Sequence, residues 1–168
     1  MSRNNPIFTA YFVAMAAIYK ITDDFYDDSF VLMALHSTLE DYRLVYRLNQ
    51  SMSFGFKRLR RNFELGAYSS FPIFEWQDDM NDNYWALIAN HSSKQELLKG
   101  NDLFQNEPTS SVQKLIPELK EVDYFLKIEN GDLLDKKELL RNLQTIPNLM
   151  AAYEVTTSKL KSKNNLIF

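Results

Sequence analysis

Two carboxylates and a phenol stand close together in the sequence, at Glu118, Asp123 and Tyr124. A pair of carboxylates performs acid–base catalysis only when burial or a near neighbour shifts the pKa of one partner. Pro117 has no amide hydrogen to donate and pushes Ile116 toward an extended conformation. The segment therefore predicts a tight turn that leads into a strand, with the tyrosine ring facing the core. We interpret all five residues as structural, because polar groups at strand entries commonly satisfy backbone groups.

The start of the first predicted helix is the best candidate for a ligand-binding site. His36 ends a predicted strand, and Ser37 and Thr38 follow where unpaired amides and the positive end of a helix dipole converge. His91 ends another predicted strand and would share this rim if both strand ends lie on one side. These four residues predict binding of a small anion or carboxylate. The alternative is an ordinary capped helix beside a surface histidine, since every helix start has this chemistry.

A basic segment, Lys-Arg-Leu-Arg-Arg at residues 57–61, has the composition of a nucleic-acid contact. With Phe54 and Phe56 beside it, such a segment could follow phosphates while aromatic rings stack on bases. However, strand alternation divides the four charges between two faces, and the chain carries a formal net charge of -3. Charged residues on edge strands also commonly block aggregation. We therefore do not expect a nucleic-acid partner.

Metal and thiol chemistry find little support in the composition. The chain has no cysteine and two histidines, which excludes disulfides and leaves little material for a zinc site. Four aspartates within residues 23–28 lack the glycine and the distal glutamate of a calcium-binding loop. The sequence contains no glycine-rich phosphate loop and no nucleophile elbow. We expect no metal, no cofactor and no catalytic residue.

The amino-terminal stretch allows two interpretations. Residues 7–18 form an apolar run that is too short to span a membrane. In the first interpretation, residues 1–16 act as a signal peptide, with the apolar run as its core, and the protein is exported. The positive charge ahead of it is only Arg3 and the terminus. We therefore favour Met15 as the start, residues 1–14 as an upstream extension, and a cytoplasmic protein that binds no membrane.

Composition and periodicity predict one α+β domain over residues 15–168. The chain is 45% hydrophobic and 14% aromatic, as expected of a packed globule. The predicted element order is strand, helix, four strands, helix, strand. It predicts a ferredoxin-like or ACT-like mixed, mainly antiparallel sheet with two main helices packed on one face. The strands are expected at 30–35, 54–65, 70–77, 84–90, 123–129 and 149–156, and the helices at 38–50 and 135–146.

Local signals define the ends of these elements. Ser37 and Glu40 match a capping box for the first helix, and Asp135 is the expected cap of the second. Residues 91–114 predict a long polar loop, which in a compact domain is functional or mobile. The apolar end, residues 166–168, predicts a tail that docks on the body of the domain.

Several short segments of the chain resemble a known family. Ile-Pro-Glu at 116–118 followed by Asp-Tyr at 123–124 resembles the signature of the IPExxxDY family of Bacteroidetes, with one residue more between the halves. The similarity extends through residues 36–44 and 160–168 and covers most of residues 15–168. This resemblance implies a bacterial, cytoplasmic protein, and it implies no reaction, ligand or catalytic residue.

Two classes of function follow from these observations. The first is a non-catalytic module that binds a protein partner or a small ligand, and that self-associates as a homodimer through a sheet edge or face. The second is a small enzyme that uses His36, Glu40 or Asp41 beneath the 91–114 loop as a lid. A pocket that joins both histidines to a carboxylate would favour the enzyme, and an exposed apolar sheet face would favour the module.

Overall fold

The structure, a computed structural model, describes residues 30–66, 69–92 and 113–168. These residues form an α+β fold in which two α-helices accompany a six-stranded sheet and a separate two-stranded sheet. The helices are α1 (Asp41–Met52) and α2 (Lys136–Leu143). The strands are β1 (Phe30–Ser37), β2 (Lys57–Arg58), β3 (Phe63–Leu65), β4 (Ser69–Phe71), β5 (Ile73–Asp78), β6 (Asn83–Ala89), β7 (Tyr124–Glu129) and β8 (Leu149–Glu154).

The larger sheet has the strand order β2-β5-β6-β7-β1-β8, and its neighbouring strands are antiparallel. In the register of β1, Ala34 lies opposite Phe125 on β7 and opposite Tyr153 on β8. Since β7 and β8 are both antiparallel to β1, they run parallel to each other. In the chain α2 connects them, and in the sheet β1 lies between them. The prediction of an α+β fold with a mainly antiparallel sheet is confirmed.

Both helices pack on one face of this sheet. Successive side chains of a strand point to opposite faces, so Val31, Met33 and Leu35 of β1 share one side. They belong to a buried cluster that also holds the apolar stripes of α1 and α2 and alternate residues of β7. The members contributed by these three elements are Leu44, Val45, Leu48, Tyr124, Leu126, Ile128, Leu139 and Leu143.

The opposite face is covered by the small β3–β4 sheet, by turns and by the C-terminal segment. Leu32 and Ala34 of β1 join Phe125 in a second buried cluster, together with Ile116 and the C-terminal Leu166. Leu166 is fully buried, which confirms the predicted docking of the tail. Both faces of the sheet therefore carry a core among the residues described here, and the exposed apolar face expected of an interaction module does not occur there.

The capping box predicted for the first helix is wrong. The helix begins at Asp41 after an N-cap at Glu40, whose side chain makes no cap hydrogen bond. Because β1 extends to Ser37, that hydroxyl instead donates to the carbonyl of Asn148 at 2.9 Å and accepts from the amide of Leu39 at 3.2 Å. The second predicted cap is confirmed, since Asp135 accepts from the first amides of α2.

The predicted single strand at 54–65 is also wrong. Its first part forms β2, which pairs with β5, whereas its last part forms β3, which pairs with β4 in the small sheet. Between the two parts the chain bends, and the Arg58 guanidinium donates to the side chain of Asn62. The strand predicted at 70–77 is likewise divided, because Pro72 between β4 and β5 offers no amide to a ladder.

Some predictions fall on residues outside the described part of the chain. These are the amino-terminal extension, the acidic segment at 23–28, and residues 93–112 of the polar loop. At the ends of that loop, His91 and Lys114 form an antiparallel bridge. No helix in the described ranges is long and apolar enough to cross a membrane.

Candidate functional site

The structure separates the residues of the predicted rim site. The ring of His36 stacks on Tyr153 with centroids 5.7 Å apart, and its Nε2 lies 3.4 Å from the tyrosine hydroxyl. His91 instead lines a concavity of about 270 Å³ at the start of α1, beside Glu40 and Asp41. Ser37 is buried and Thr38 is exposed, and neither lines this concavity. Neither this concavity nor the larger cleft described below is lined by both histidines.

The phenol in this small concavity already has a structural partner. The hydroxyl of Tyr124 donates to the carbonyl oxygen of Leu39 at 2.6 Å. Burial of the ring, followed by the negative charges of Asp41, Asp123 and Glu40, raises the pKa of Tyr124 to about 12. A hydroxyl that stays protonated and engaged in this way is poorly suited to proton transfer at neutral pH.

The other residues of the Ile-Pro-Glu and Asp-Tyr motif also make contacts within the fold. Pro117 opens a 3₁₀ turn, Pro117–Leu119, directly after the buried Ile116. The carboxylate of Glu118 accepts hydrogen bonds from Ser162, and Oδ2 of Asp123 accepts from the Ser37 amide at 2.9 Å. These contacts support the structural interpretation of the motif.

A larger cleft, of about 700 Å³, lies at the other end of β6 and β7. The small concavity lies where β6 ends and β7 begins, whereas this cleft lies where β6 begins and β7 ends. Its walls come from the end of α1, the β5–β6 turn, the end of β7 and the first turns of α2. We call it the aromatic cleft, after the three rings at its base: Phe54, Trp76 and Trp85.

The three rings of the aromatic cleft touch one another. The Phe54 centroid lies 4.9 Å from Trp76 and 5.0 Å from Trp85, and the two indoles are 5.6 Å apart. Trp76 and Trp85 are directly opposite each other in the β5–β6 register, so both project from the same face. Gly55 allows this packing, because a Cβ there would lie 2.8 Å from Cδ1 of Trp76.

One buried polar atom of the three rings is unsatisfied. Trp85 is 3% exposed, and its Nε1 has no hydrogen-bond partner within the described residues. A buried N–H without an acceptor destabilises a protein by about 1–3 kcal/mol. Such an orphan donor in a cleft is a reason to expect an acceptor atom from elsewhere.

The rim of the aromatic cleft is acidic. Asp78 accepts from the amide of Met80 at 3.2 Å and from Nδ2 of Asn81 at 2.7 Å, so it is fixed by its own turn. The described residues that line the cleft include no lysine, arginine or histidine. No group of three potential metal ligands occurs in the described ranges. The carboxylates of the rim are Asp78, Asp82, Asp135 and Glu138.

No protein-family model, curated protein or solved structure matches this chain. The resemblance to the IPExxxDY family therefore stays a prediction.

The aromatic cleft was not among the predicted sites. Trp76 and Trp85 nevertheless stand symmetrically about residues 78–83, which lie between two predicted strands. Symmetric positions across a hairpin face each other, so this spacing was a signal for a cross-strand aromatic pair. The contribution of α2 to the rim had no comparable signal, because it arises from packing between distant segments.

Proposed function

We propose that this protein is a non-catalytic module that binds a small ligand in the aromatic cleft. The observation that carries the proposal is a concave site of about 700 Å³ with an aromatic base and a polar rim. Pockets for small molecules typically measure about 300–1,000 Å³ and combine apolar walls with a few polar groups. The unpaired Nε1 of Trp85 adds a donor that a ligand could satisfy.

The enzyme alternative at the first helix has weaker support. The small concavity brings His91 close to Glu40 and Asp41, but His36 contacts Tyr153 instead. A general acid or base there would have to work without the second histidine, and the nearby phenol is engaged with the backbone. The aromatic cleft is also more than twice as large.

Two interlocked strand-helix-strand units support our proposal of a ferredoxin-like fold. β7, α2 and β8 form one unit, in which β1 is inserted between the two parallel strands. β1 and β6 also run parallel, since both oppose β7, and α1 lies between them in the chain. This arrangement supports a split βαβ fold, extended at one edge by β5 and β2. The fold by itself names no ligand.

The binding proposal can be tested by blocking the aromatic cleft. Asn142 lines the cleft on the exposed side of α2, so Asn142→Trp would place an indole in its mouth. Gln144→Trp is the matched control, because Gln144 is an exposed amide just past the helix that does not line the cleft. Saturation-transfer NMR with a fragment library should give hits on the wild type and the control that Asn142→Trp loses. Hits that Asn142→Trp retains would contradict the proposal.

The edge position of β8 favours homodimerisation as a second candidate. β8 is an edge strand of the described sheet, and its Met150 and Tyr153 are 65% and 40% exposed. An edge strand can pair with a second copy of the same strand. Sedimentation equilibrium should show a dimer that Met150→Lys dissociates, and a wild-type monomer at high micromolar concentration would exclude it.

A further inference from the structure

We infer that the aromatic cleft selects a small organic cation, a quaternary or protonated amine attached to a short body that carries a hydrogen-bond acceptor. This inference rests on the proposed function, since it names the class of ligand for the same cleft. Three independent features of the described residues support it: the charge of the rim, the rings at the base, and the state of the α2 N-terminus.

The charge of the cleft has one sign. Four carboxylates line it, and its described lining contains no basic side chain. A concave surface lined by one sign of charge focuses the field and raises the local concentration of the opposite ion. Asp78 is buried and held by hydrogen bonds of its own turn, and the exposed Asp135 is held by amides of α2. Asp82 and Glu138 are also exposed and are therefore the carboxylates best placed to meet a cation.

The base of the cleft suits a cation as well. Phe54 and Trp76 are only partly buried, and both line the cleft. The face of an aromatic ring attracts cations, and tryptophan does so most strongly. An ammonium group that touches the rings can therefore be stabilised by the rings and the carboxylates together.

An anionic ligand is disfavoured at the one element that would normally attract it. The N-terminus of α2 faces the cleft, and a helix N-terminus offers free amides and a positive dipole end. Here the carboxylate of Asp135 accepts from the amides of Lys137 and Glu138, both at 3.0 Å. Those donors are already satisfied by a negative charge of the protein, so an anion would meet carboxylates rather than free amides.

The unpaired N–H donor of Trp85 narrows the class of ligand further. Trp85 lines the cleft, and its buried Nε1 has no acceptor among the described residues. A hydroxyl or carbonyl oxygen next to the cationic centre is the group that this donor lacks. Amino alcohols combine the two features in a few atoms.

The inference can be tested with a pair of probes that differ only in charge. Choline and 3,3-dimethylbutan-1-ol have the same shape, but the second carries carbon in place of the cationic nitrogen. We expect choline to shift the indole N–H resonances of the two tryptophans in ¹⁵N-correlated NMR spectra. Its Kd should be at least about tenfold lower than that of the neutral alcohol. The preference should shrink as salt concentration rises.

Charge-removing variants test whether the rim is responsible. The double variant Asp82→Asn and Glu138→Gln keeps the side-chain shapes, and asparagine tolerates the positive φ of 54° at position 82. It should weaken choline binding several-fold and leave the neutral alcohol unchanged. Glu121→Gln, an exposed carboxylate that does not line the cleft, is the matched control and should change neither Kd.

The possible results separate this inference from the proposed function. Equal or tighter binding of the neutral alcohol, lost in Asn142→Trp, would overturn the cation class while supporting a ligand site. Binding of neither probe, with fragment hits that Asn142→Trp abolishes, would do the same. Binding of neither probe and no fragment hit in the cleft would overturn both.

Discussion

The carboxylate of Glu118 accepts two hydrogen bonds from Ser162, one from its amide at 2.8 Å and one from its hydroxyl at 2.7 Å. The two residues are 44 positions apart, so the contact ties the C-terminal segment to the turn that begins at Pro117. The serine hydroxyl is the main reason that the pKa of Glu118 lies below its usual range. The motif that carries the family resemblance thus helps to dock the tail.

We expect this contact to stabilise the fold in a pH-dependent way. Because the folded-state pKa of Glu118 is lowered, its contribution is present above the unfolded-state pKa of about 4.3 and is lost as pH falls through the folded-state value. Ser162→Ala should lower the free energy of unfolding by about 0.5–1 kcal/mol at pH 7, since the pair is exposed. Urea unfolding at pH 7 and in the acid range measures the difference. Ser158→Ala is the control at an exposed serine of the same segment, and a Ser162→Ala effect that persists in acid would count against this explanation.

The fully buried Asn90 should be among the least replaceable polar residues. Its Nδ2 donates to the carbonyls of Leu119 and Val122, and its Oδ1 accepts from the amide of Ile116, all at 2.9 Å. Asn90→Asp would place an oxygen against two carbonyl oxygens and bury an unpaired charge. We expect a loss of about 3 kcal/mol or more in the free energy of unfolding. Asn164→Asp, at an exposed position, is the control for denaturant unfolding, and equal effects of the two would refute the role of Asn90.

The sheet and its helical face were predictable because they follow local periodicity. Tyr124, Leu126 and Ile128 alternate with neighbours of different character, and all three are buried beneath the helices. Phe125 breaks that alternation, and the structure gives the reason: it packs on the second face, beneath the docked tail and turn. The importance of Asn90 could not be predicted, since its partners lie 26 to 32 residues away.

The two candidate sites differ in how much the sequence could predict. At the predicted rim site, β1 extends through His36 to Ser37, and His36 contacts Tyr153, whereas His91 lines the small concavity. Ligand binding by these residues stays a prediction. The aromatic cleft is assembled from three segments far apart in the chain, so no local pattern encodes the whole site. Only the Trp76–Trp85 pair had a sequence signal, through its symmetry about the β5–β6 turn.

The hydroxyl of Tyr124 should contribute to stability up to high pH. It donates to the Leu39 carbonyl, so Tyr124→Phe should lower the free energy of unfolding by about 1–2 kcal/mol at neutral pH. Because the folded-state pKa is raised to about 12, this contribution is present below pH 10 and is lost as pH rises from about 10 to about 12. Subtracting the ultraviolet titration of Tyr124→Phe from that of the wild type should isolate a phenol that ionises near pH 12. Tyr46→Phe is the exposed control, and a difference curve for Tyr124 centred near pH 10 would disprove the raised pKa.

The buried charge of Lys127 should be replaceable by an apolar group of similar size. The residue is 4% exposed, and its Nζ lies 2.7 Å from Glu129 and 4.7 Å and 5.0 Å from the ring centroids of Phe168 and Phe30. Removing a charge from water offsets much of the gain from an ion pair and from aromatic contacts. Lys127→Met keeps the packing of the stem between the rings, so we expect its stability to equal or exceed that of the wild type by up to about 1–4 kcal/mol.

Two companion variants separate packing from charge at this position. Lys127→Ala also removes the stem and should lower the free energy of unfolding by about 2–4 kcal/mol. Glu129→Gln leaves the Lys127 ammonium without its carboxylate partner and should lower the free energy of unfolding by about 1–3 kcal/mol. This loss is smaller than for a fully buried ion pair, because Glu129 is partly exposed. Chemical denaturation of the three variants measures these changes. If Lys127→Met were as damaging as Lys127→Ala, the charge itself rather than the packed stem would stabilise this face of the sheet.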